Sequence, residues 1–283
     1  MIALPFDWFR TRRYLARNER ETCVCGCRRR DITDSIWRVT NKTEDLIYPE
    51  SMYKCGECGS FSAVNLYFPI EKYMEHPLES MFIDEKKETL NSERLAWINS
   101  MSKLSNKAVL YDLGAGEGCF SHIFADNFPD GKVFSVEADK KVESKFYGKR
   151  SNVYFIPEYI LPFLKDRAAR GDCADLMVLT DVMEHVVDPE DMISAMAKAL
   201  APSGLVYITV PNAHTFQDPV PRHVPRRQLD WRRANRTCQH LWLLTPHMVE
   251  SLVAKAFEIL AVSDFETQIR QDSVYTTILA RKR

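Results

Sequence analysis

Three things are missing from this sequence, and each absence closes off a class of protein. Net charge is the first. Thirty-eight lysines and arginines face 39 aspartates and glutamates, leaving −1 with histidine neutral, which excludes a chain that coats nucleic acid by bulk charge. The second is any uninterrupted apolar run long enough to cross a bilayer, and no secretory hydrophobic segment follows the first residues. The third is repetition, since neither an internal repeat nor a low-complexity tract is present. What remains is 283 residues, 45% hydrophobic and 27% charged. That is an ordinary soluble globular composition, sufficient for one large domain plus a small one. The cytoplasm is the expected compartment. Near the start, Leu4, Phe6, Trp8 and Phe9 precede Arg10, Arg12 and Arg13; they read as an arm packed on the body, with a peripheral membrane contact as the alternative.

Cysteine is unevenly distributed. Of eight, Cys23, Cys25, Cys27, Cys55 and Cys58 crowd the first sixty residues, while Cys119, Cys173 and Cys238 are scattered. A secreted disulfide scaffold would be small and evenly stapled, so this clustering reads as a metal site. Cys55-Gly56-Glu57-Cys58-Gly59 has knuckle spacing, with a glycine after the second cysteine so that the turn's amides can face sulfur. Cys25-Gly26 mirrors Cys58-Gly59, but the matching first position is Thr22. The expected ligands are therefore Cys23, Cys25, Cys55 and Cys58, with Cys27 as the alternative to Cys23. Four thiolates leave no open coordination position, which makes the expected Zn2+ structural.

Three segments organise the chain: an arm and zinc-binding module over residues 1–70, a connecting helical segment over 71–107, and an α/β domain over 108–283. The first carries short β-like runs at 35–40 and 61–68. The connector's helix spans about 84–101, with Leu90, Leu95, Trp97, Ile98 and Met101 as its apolar positions. From 108 onward, apolar runs at 108–113, 132–137, 153–156, 176–180 and 205–210 alternate with helical stretches, the pattern of a parallel sheet covered on both faces. Phe120, Ile123, Phe124 and Phe128 form the face of the first of these helices. Asp188-Pro189-Glu190-Asp191 caps and starts a helix to Leu200, and Thr245-Pro246 repeats that start. Runs at 257–265 and 273–280 close the chain as an antiparallel pair.

The chemistry concentrates at the end of the first strand of that domain, in Asp112-Leu113-Gly114-Ala115-Gly116-Glu117-Gly118. Glycines there let the backbone take positive φ and let a ligand approach it closely. The dinucleotide fingerprint wants its third glycine where this chain has Cys119, whereas here the glycines alternate at 114, 116 and 118. This stretch resembles motif I of the class I S-adenosylmethionine (SAM)-dependent methyltransferases. Asp181-Val182-Met183-Glu184-His185, Val210-Pro211-Asn212 and His240-Leu241-Trp242-Leu243-Leu244-Thr245-Pro246 resemble later motifs of that family's small-molecule branch, so the resemblance covers about 90–283.

The resemblance implies a Rossmann-like sheet of seven mostly parallel strands with a C-terminal antiparallel pair, and an enzyme using SAM. It implies cofactor contacts from Asp112, Gly114, Ala115, Gly116, Glu137, Ala138, Glu158, Asp181 and Val182. Glu137, ending the second strand, would take the ribose hydroxyls, because a carboxylate can accept from both. Many members carry an acid just after the third strand. Here Ile156-Pro157-Glu158-Tyr159 stands in its place, and Glu158 or Tyr159 would fill that role.

A hydroxyl acceptor needs its proton managed, and histidine suits that near neutral pH. His185 is the first candidate for general base and His240 the second. Between 211 and 245 lies an arginine-rich insertion, whose Arg222, Arg226 and Arg227, with His214, are the expected acceptor-binding residues. Guanidinium binds phosphate or carboxylate bidentately, so the acceptor is expected to be a small anionic molecule or a carbohydrate such as a sugar nucleotide or glycan end, methylated on oxygen. A similar N-terminal zinc module in sugar methyltransferases points the same way. The alternative is an RNA-modifying enzyme whose zinc module and arginines, with Trp231, grip nucleic acid.

Overall fold

A computed structural model of the chain describes residues 22–27, 52–63, 84–142, 150–213, 241–270 and 274–283. The N-terminal arm, the run at 35–40 and most of the arginine-rich insertion lie outside these residues.

The main sheet has seven strands: β3 (Val109–Leu113), β4 (Lys132–Val136), β5 (Val153–Ile156), β6 (Ala174–Thr180), β7 (Leu200–Pro211), β9 (Phe257–Ser263) and β10 (Tyr275–Lys282). Their order is β5-β4-β3-β6-β7-β10-β9. All pairings from β5 to β7 are parallel, and β10 runs antiparallel to both β7 and β9. The chain therefore leaves β3 with β4 on one side and β6 on the other, the switch point where open α/β sheets bind ligands at the carboxyl ends of their strands.

Alternation along each strand sends residues to two cores. On one face Leu110, Leu176, Val178, Leu205, Tyr207 and Leu279 pack with α1 (Asp84–Met101) and α2 (Cys119–Asn127) through Leu95, Ile98, Phe120 and Phe124. On the other, Tyr111, Met177, Leu179, Val206, Ile208 and Ile278 meet α3 (Ile160–Arg170), α4 (Pro189–Ala199) and α5 (Pro246–Val253). Burying large aliphatic and aromatic side chains on both faces is what makes these central strands continuous apolar runs. Within the first face sits one charged group of contacts: Arg94 of α1 forks onto Glu266 at 2.8 and 2.6 Å, and the Tyr207 hydroxyl donates to the same carboxylate. Glu266 belongs to α6 (Phe265–Arg270).

A second, three-stranded sheet joins β1 (Met52–Lys54), β2 (Phe61–Ala63) and β8 (Trp242–Leu243), in the order β1-β2-β8.

Several expected elements are adjusted. The helix after Asp188 ends at Ala199, and β7 begins at Leu200 rather than 205. Ser203 takes φ +61°, and a Cβ on Gly204 would come within 2.8 Å of Leu200 Cγ, so a tight bulge folds what reads as a linker into the strand. Asp188 caps α4 as expected, accepting from the Glu190 and Asp191 N–H groups. Thr245 does not cap α5 with its side chain; its hydroxyl is bonded elsewhere. The run expected as strand to 265 stops at Ser263 and turns into α6. Met101, expected on the apolar face of α1, is exposed. Among the described residues no helix is long and apolar enough to cross a membrane.

Candidate active site

The glycine loop is shaped by its neighbours. Gly114, Gly116 and Gly118 take φ of +77°, +52° and +72°, a region side chains rarely adopt. A Cβ on Gly114 would lie 2.4 Å from Val182 Cγ2, so the loop packs directly on the turn after β6. A Cβ on Gly116 would meet nothing within 4 Å, so backbone there faces open space that a ligand can enter. Gly114 and Ala115 donate their N–H groups to the Val136 carbonyl at 2.9 and 3.1 Å. The Glu137 carboxylate, next along, accepts from Gly116 N–H at 3.0 Å and from Asp139 N–H at 2.9 Å. Each of its oxygens keeps a lone pair for a further donor, which fits a vicinal diol of a nucleoside. Burial pushes the Glu137 carboxyl up, and the two N–H groups oppose that shift.

Asp112 lies beneath the loop, buried, with Ser121 Oγ donating to it at 2.6 Å and Ser135 Oγ a further 2.6 Å from Ser121. Burial lifts its carboxyl to about 6 against the pull of the Ser121 hydroxyl. Half-buried Ala138 follows Glu137, and Glu158 stands exposed just beyond β5.

The turn after β6 forms the second wall. Asp181 takes φ +55° and accepts from Arg270 Nη1 at 2.7 Å, while Arg270 stacks 4.0 Å over the Tyr275 ring. His185 is half-buried, with Nε2 3.9 Å from Glu184 Oε1. Glu184 itself is buried, and burial followed by the charge of Asp181 raises its carboxyl well above the usual range. His214, His240, Arg222, Arg226 and Arg227 lie outside the described residues.

Sequence reasoning missed the supports. Lys87 pairs with Glu117 of the glycine loop at 2.6 Å, and Arg94, Glu266 and Arg270 lead from α1 to Asp181. No spacing signal marks them, because they meet only when α1 and α6 pack against the same sheet.

The cysteines converge. The sulfur atoms of Cys23, Cys25, Cys55 and Cys58 all lie within 4.8 Å of one another. Cys23 and Cys58 are 3.7 Å apart, and Cys25 and Cys55 3.6 Å. A tetrahedral zinc with sulfur at about 2.3 Å separates its ligands by about 3.8 Å, so this set fits one ion. Gly26 and Gly59 both take positive φ directly after Cys25 and Cys58, and their N–H groups close the two turns onto the Cys23 and Cys55 carbonyls, the first turn being one residue shorter. Cys27 approaches Cys55 to 2.9 Å, too close for both to sit on one tetrahedral ion. It therefore stands beside the set.

Sheet order, alternating glycines and a carboxylate at the end of β4 together define the class I methyltransferase fold. Residues 87–261 match the family model described as a methyltransferase domain, and the chain belongs to that family. Curated relatives include the ubiquinone biosynthesis O-methyltransferase of Paraburkholderia phymatum, 30% identical over 124 residues, or 44% of this chain and 52% of that protein. The protein of the same name from Neisseria meningitidis is 27% identical over 157 residues, 51% of this chain and 64% of its own. The first of these matches thus spans about half the relative's length. Among solved structures, the Bradyrhizobium japonicum N-methyltransferase NodS with S-adenosyl-L-homocysteine aligns over 77% of this chain and 98% of its own, at TM-score 0.53 and 15% identity. The plantazolicin methyltransferase BpumL, in complex with a triazolic desmethylPZN analog and S-adenosyl-L-homocysteine, aligns over 76% of this chain and 92% of its own at TM-score 0.55 and 10% identity. At such identities the likeness is one of fold.

Proposed function

We propose that this protein is a SAM-dependent methyltransferase that methylates an oxygen of a small, anionic or carbohydrate acceptor. The observation that carries the reading is the pairing of Gly116, open to a ligand, with Glu137, held by two backbone N–H groups at the end of β4. When bound, SAM supplies an electrophilic methyl on its sulfonium. The chain's own part is then positioning and proton management. The loop from Gly114 to Gly118 and Glu137 orient the nucleoside, and the Asp181–His185 turn closes the other wall.

His185 is the residue we assign to the acceptor's proton, because it sits half-buried at the carboxyl end of β6 and carries an imidazole. The O-methyltransferase relatives support oxygen as the methylated atom. Arg222, Arg226 and Arg227 support an anionic acceptor through bidentate pairing. Zn2+ held by Cys23, Cys25, Cys55 and Cys58 completes the reading as a structural ion.

Calorimetric titration with SAM tests the core of this reading, and no heat of binding at millimolar cofactor would sink it. His185→Ala should lower methyl transfer about a hundredfold while SAM affinity stays within twofold. Undiminished turnover would move the base elsewhere. Metal analysis of the purified protein should give about one zinc per chain.

A further inference from the structure

The cysteine cluster is joined by hydrogen bonds to the sheet edge that carries the site. β2 pairs antiparallel with β8, Phe61 opposite Leu243 and Ser62 opposite Trp242. Beside that pairing the buried Ser60 hydroxyl accepts from the Thr245 backbone N–H at 3.0 Å and lies 3.5 Å from Thr245 Oγ1. Thr245 Oγ1 donates in turn to the Cys58 carbonyl at 3.2 Å. Ser60 is itself part of the knuckle, since its carbonyl accepts from Cys55 N–H at 2.8 Å.

On its other side the same short segment grips the site. Leu241 N–H donates to the Glu184 carbonyl at 2.7 Å, and the Trp242 indole N–H donates to the Val186 carbonyl at 2.9 Å. Those two carbonyls bracket His185. Ala213, just past β7, donates its N–H to the Leu244 carbonyl at 3.0 Å. Cys23, Val24 and Cys55 share one apolar core with Met183, Leu241, Trp242 and Leu244. β8 is only two residues long and lies at the edge of its sheet, next to β2. Two paired residues alone hold a strand weakly, so its place is set by these lateral contacts together with its short pairing to β2. The glycine loop is held differently, by Val136 and Glu137.

We propose that Ser60 is a positioning residue for the turn that carries His185. It acts through Thr245 and the Leu241–Leu244 segment, and filling of the cysteine cluster by metal sets that wall without setting the cofactor loop. The inference rests on the methyl-transfer and zinc readings for its functional meaning, but the Ser60 contact needs neither ligand nor metal to be tested.

The experiment is hydrogen exchange by mass spectrometry on the full chain, with metal content and SAM affinity measured alongside. Removing the hydroxyl in Ser60→Ala leaves the Thr245 N–H without its acceptor. Exchange should rise about tenfold in peptides covering 183–186 and 241–245. It should be unchanged over 109–118, with metal content kept and SAM affinity within twofold. The His185 ring resonance in NMR, assigned by its loss in His185→Gln, should shift in Ser60→Ala. Thr245→Val, which removes the hydroxyl's bond to Cys58 and its contact with Ser60 but keeps the backbone N–H bond to Ser60, should give a smaller version of the same pattern, and Thr245→Ser should not. Chelation of the wild-type protein should reproduce the split. Exchange that stays unchanged, or rises equally over 109–118, overturns the proposal. If Ser60→Ala does not fold, the Thr245 pair decides it. A split in Ser60→Ala from protein that binds no zinc would uphold the Ser60 contact and overturn the metal's part.

Discussion

On the cofactor side of the site the anchoring contacts are close in sequence: Gly116 donates to Glu137, 21 residues away, and Gly114 and Ala115 donate to Val136. On the opposite wall Thr245 meets Ser60 across 185 residues, and Leu241 meets Glu184. One side is a strand–loop–helix–strand unit that assembles from its own stretch of chain. The other exists only after the cysteine cluster, the turn after β6 and the segment at 241–245 have come together. The first is suited to a constant ligand, and the second to a wall that differs between relatives of one fold.

The largest expected effect breaks the frame common to both sides. Arg94→Met removes the fork onto Glu266 and leaves that buried carboxylate to the Tyr207 hydroxyl and the more distant Arg270. Unfolding in urea should show a loss of about 4 kcal/mol, with both walls loosened together. Next come two glycines of one loop. Gly114→Ala drives a Cβ into Val182 and should lose about 2 kcal/mol of stability as well as SAM affinity. Gly116→Ala, with space around it, should lose about 1 kcal/mol but still weaken SAM at least about tenfold if the ligand lies against that backbone. Equal stability losses in the two would erase the distinction between a packing glycine and a ligand-facing one.

A smaller effect follows from Asp112, whose carboxyl is raised from 3.8 to about 6 by burial. Between those values the folded chain binds more protons than the unfolded one, so stability contributed by this group falls as pH rises from about 4 to about 6. Asp112→Asn should flatten that part of the stability profile. It should also make the protein more stable than wild type at neutral pH, by about 3 kcal/mol. An identical slope in the two proteins would place the carboxyl in a different environment. The smallest effect sharpens the comparison itself: Glu137→Gln should weaken SAM about tenfold in titration and leave hydrogen exchange at 241–245 untouched.

Much of the cofactor side is legible from residues alone. Apolar runs marked β3, β4, β5 and β6, the alternate glycines marked the loop, and Asp188-Pro189 marked the start of α4. Local pattern and structure part where a distant partner decides the outcome. Thr245-Pro246 looks like a capped helix start, yet the hydroxyl is taken by Cys58. Residues 257–265 read as one strand, yet α6 begins at Phe265, where Glu266 is turned inward to meet Arg94 and Tyr207. The stretch from Leu200 reads as a helix end and a linker, but packing against Ala174 draws it into β7.

By itself the sequence determined the alternation of elements, the glycine turn with its acid and the cysteine pairs, because each rests on backbone conformation or spacing within a few tens of residues. Tertiary structure alone decided that Cys23 rather than Cys27 joins the other three sulfurs, how Asp181 is held by Arg270, and that Ser60 meets Thr245. Those contacts depend on how separate elements pack, and the energy of a buried hydrogen bond or ion pair exists only once both partners have been brought out of water to the same place.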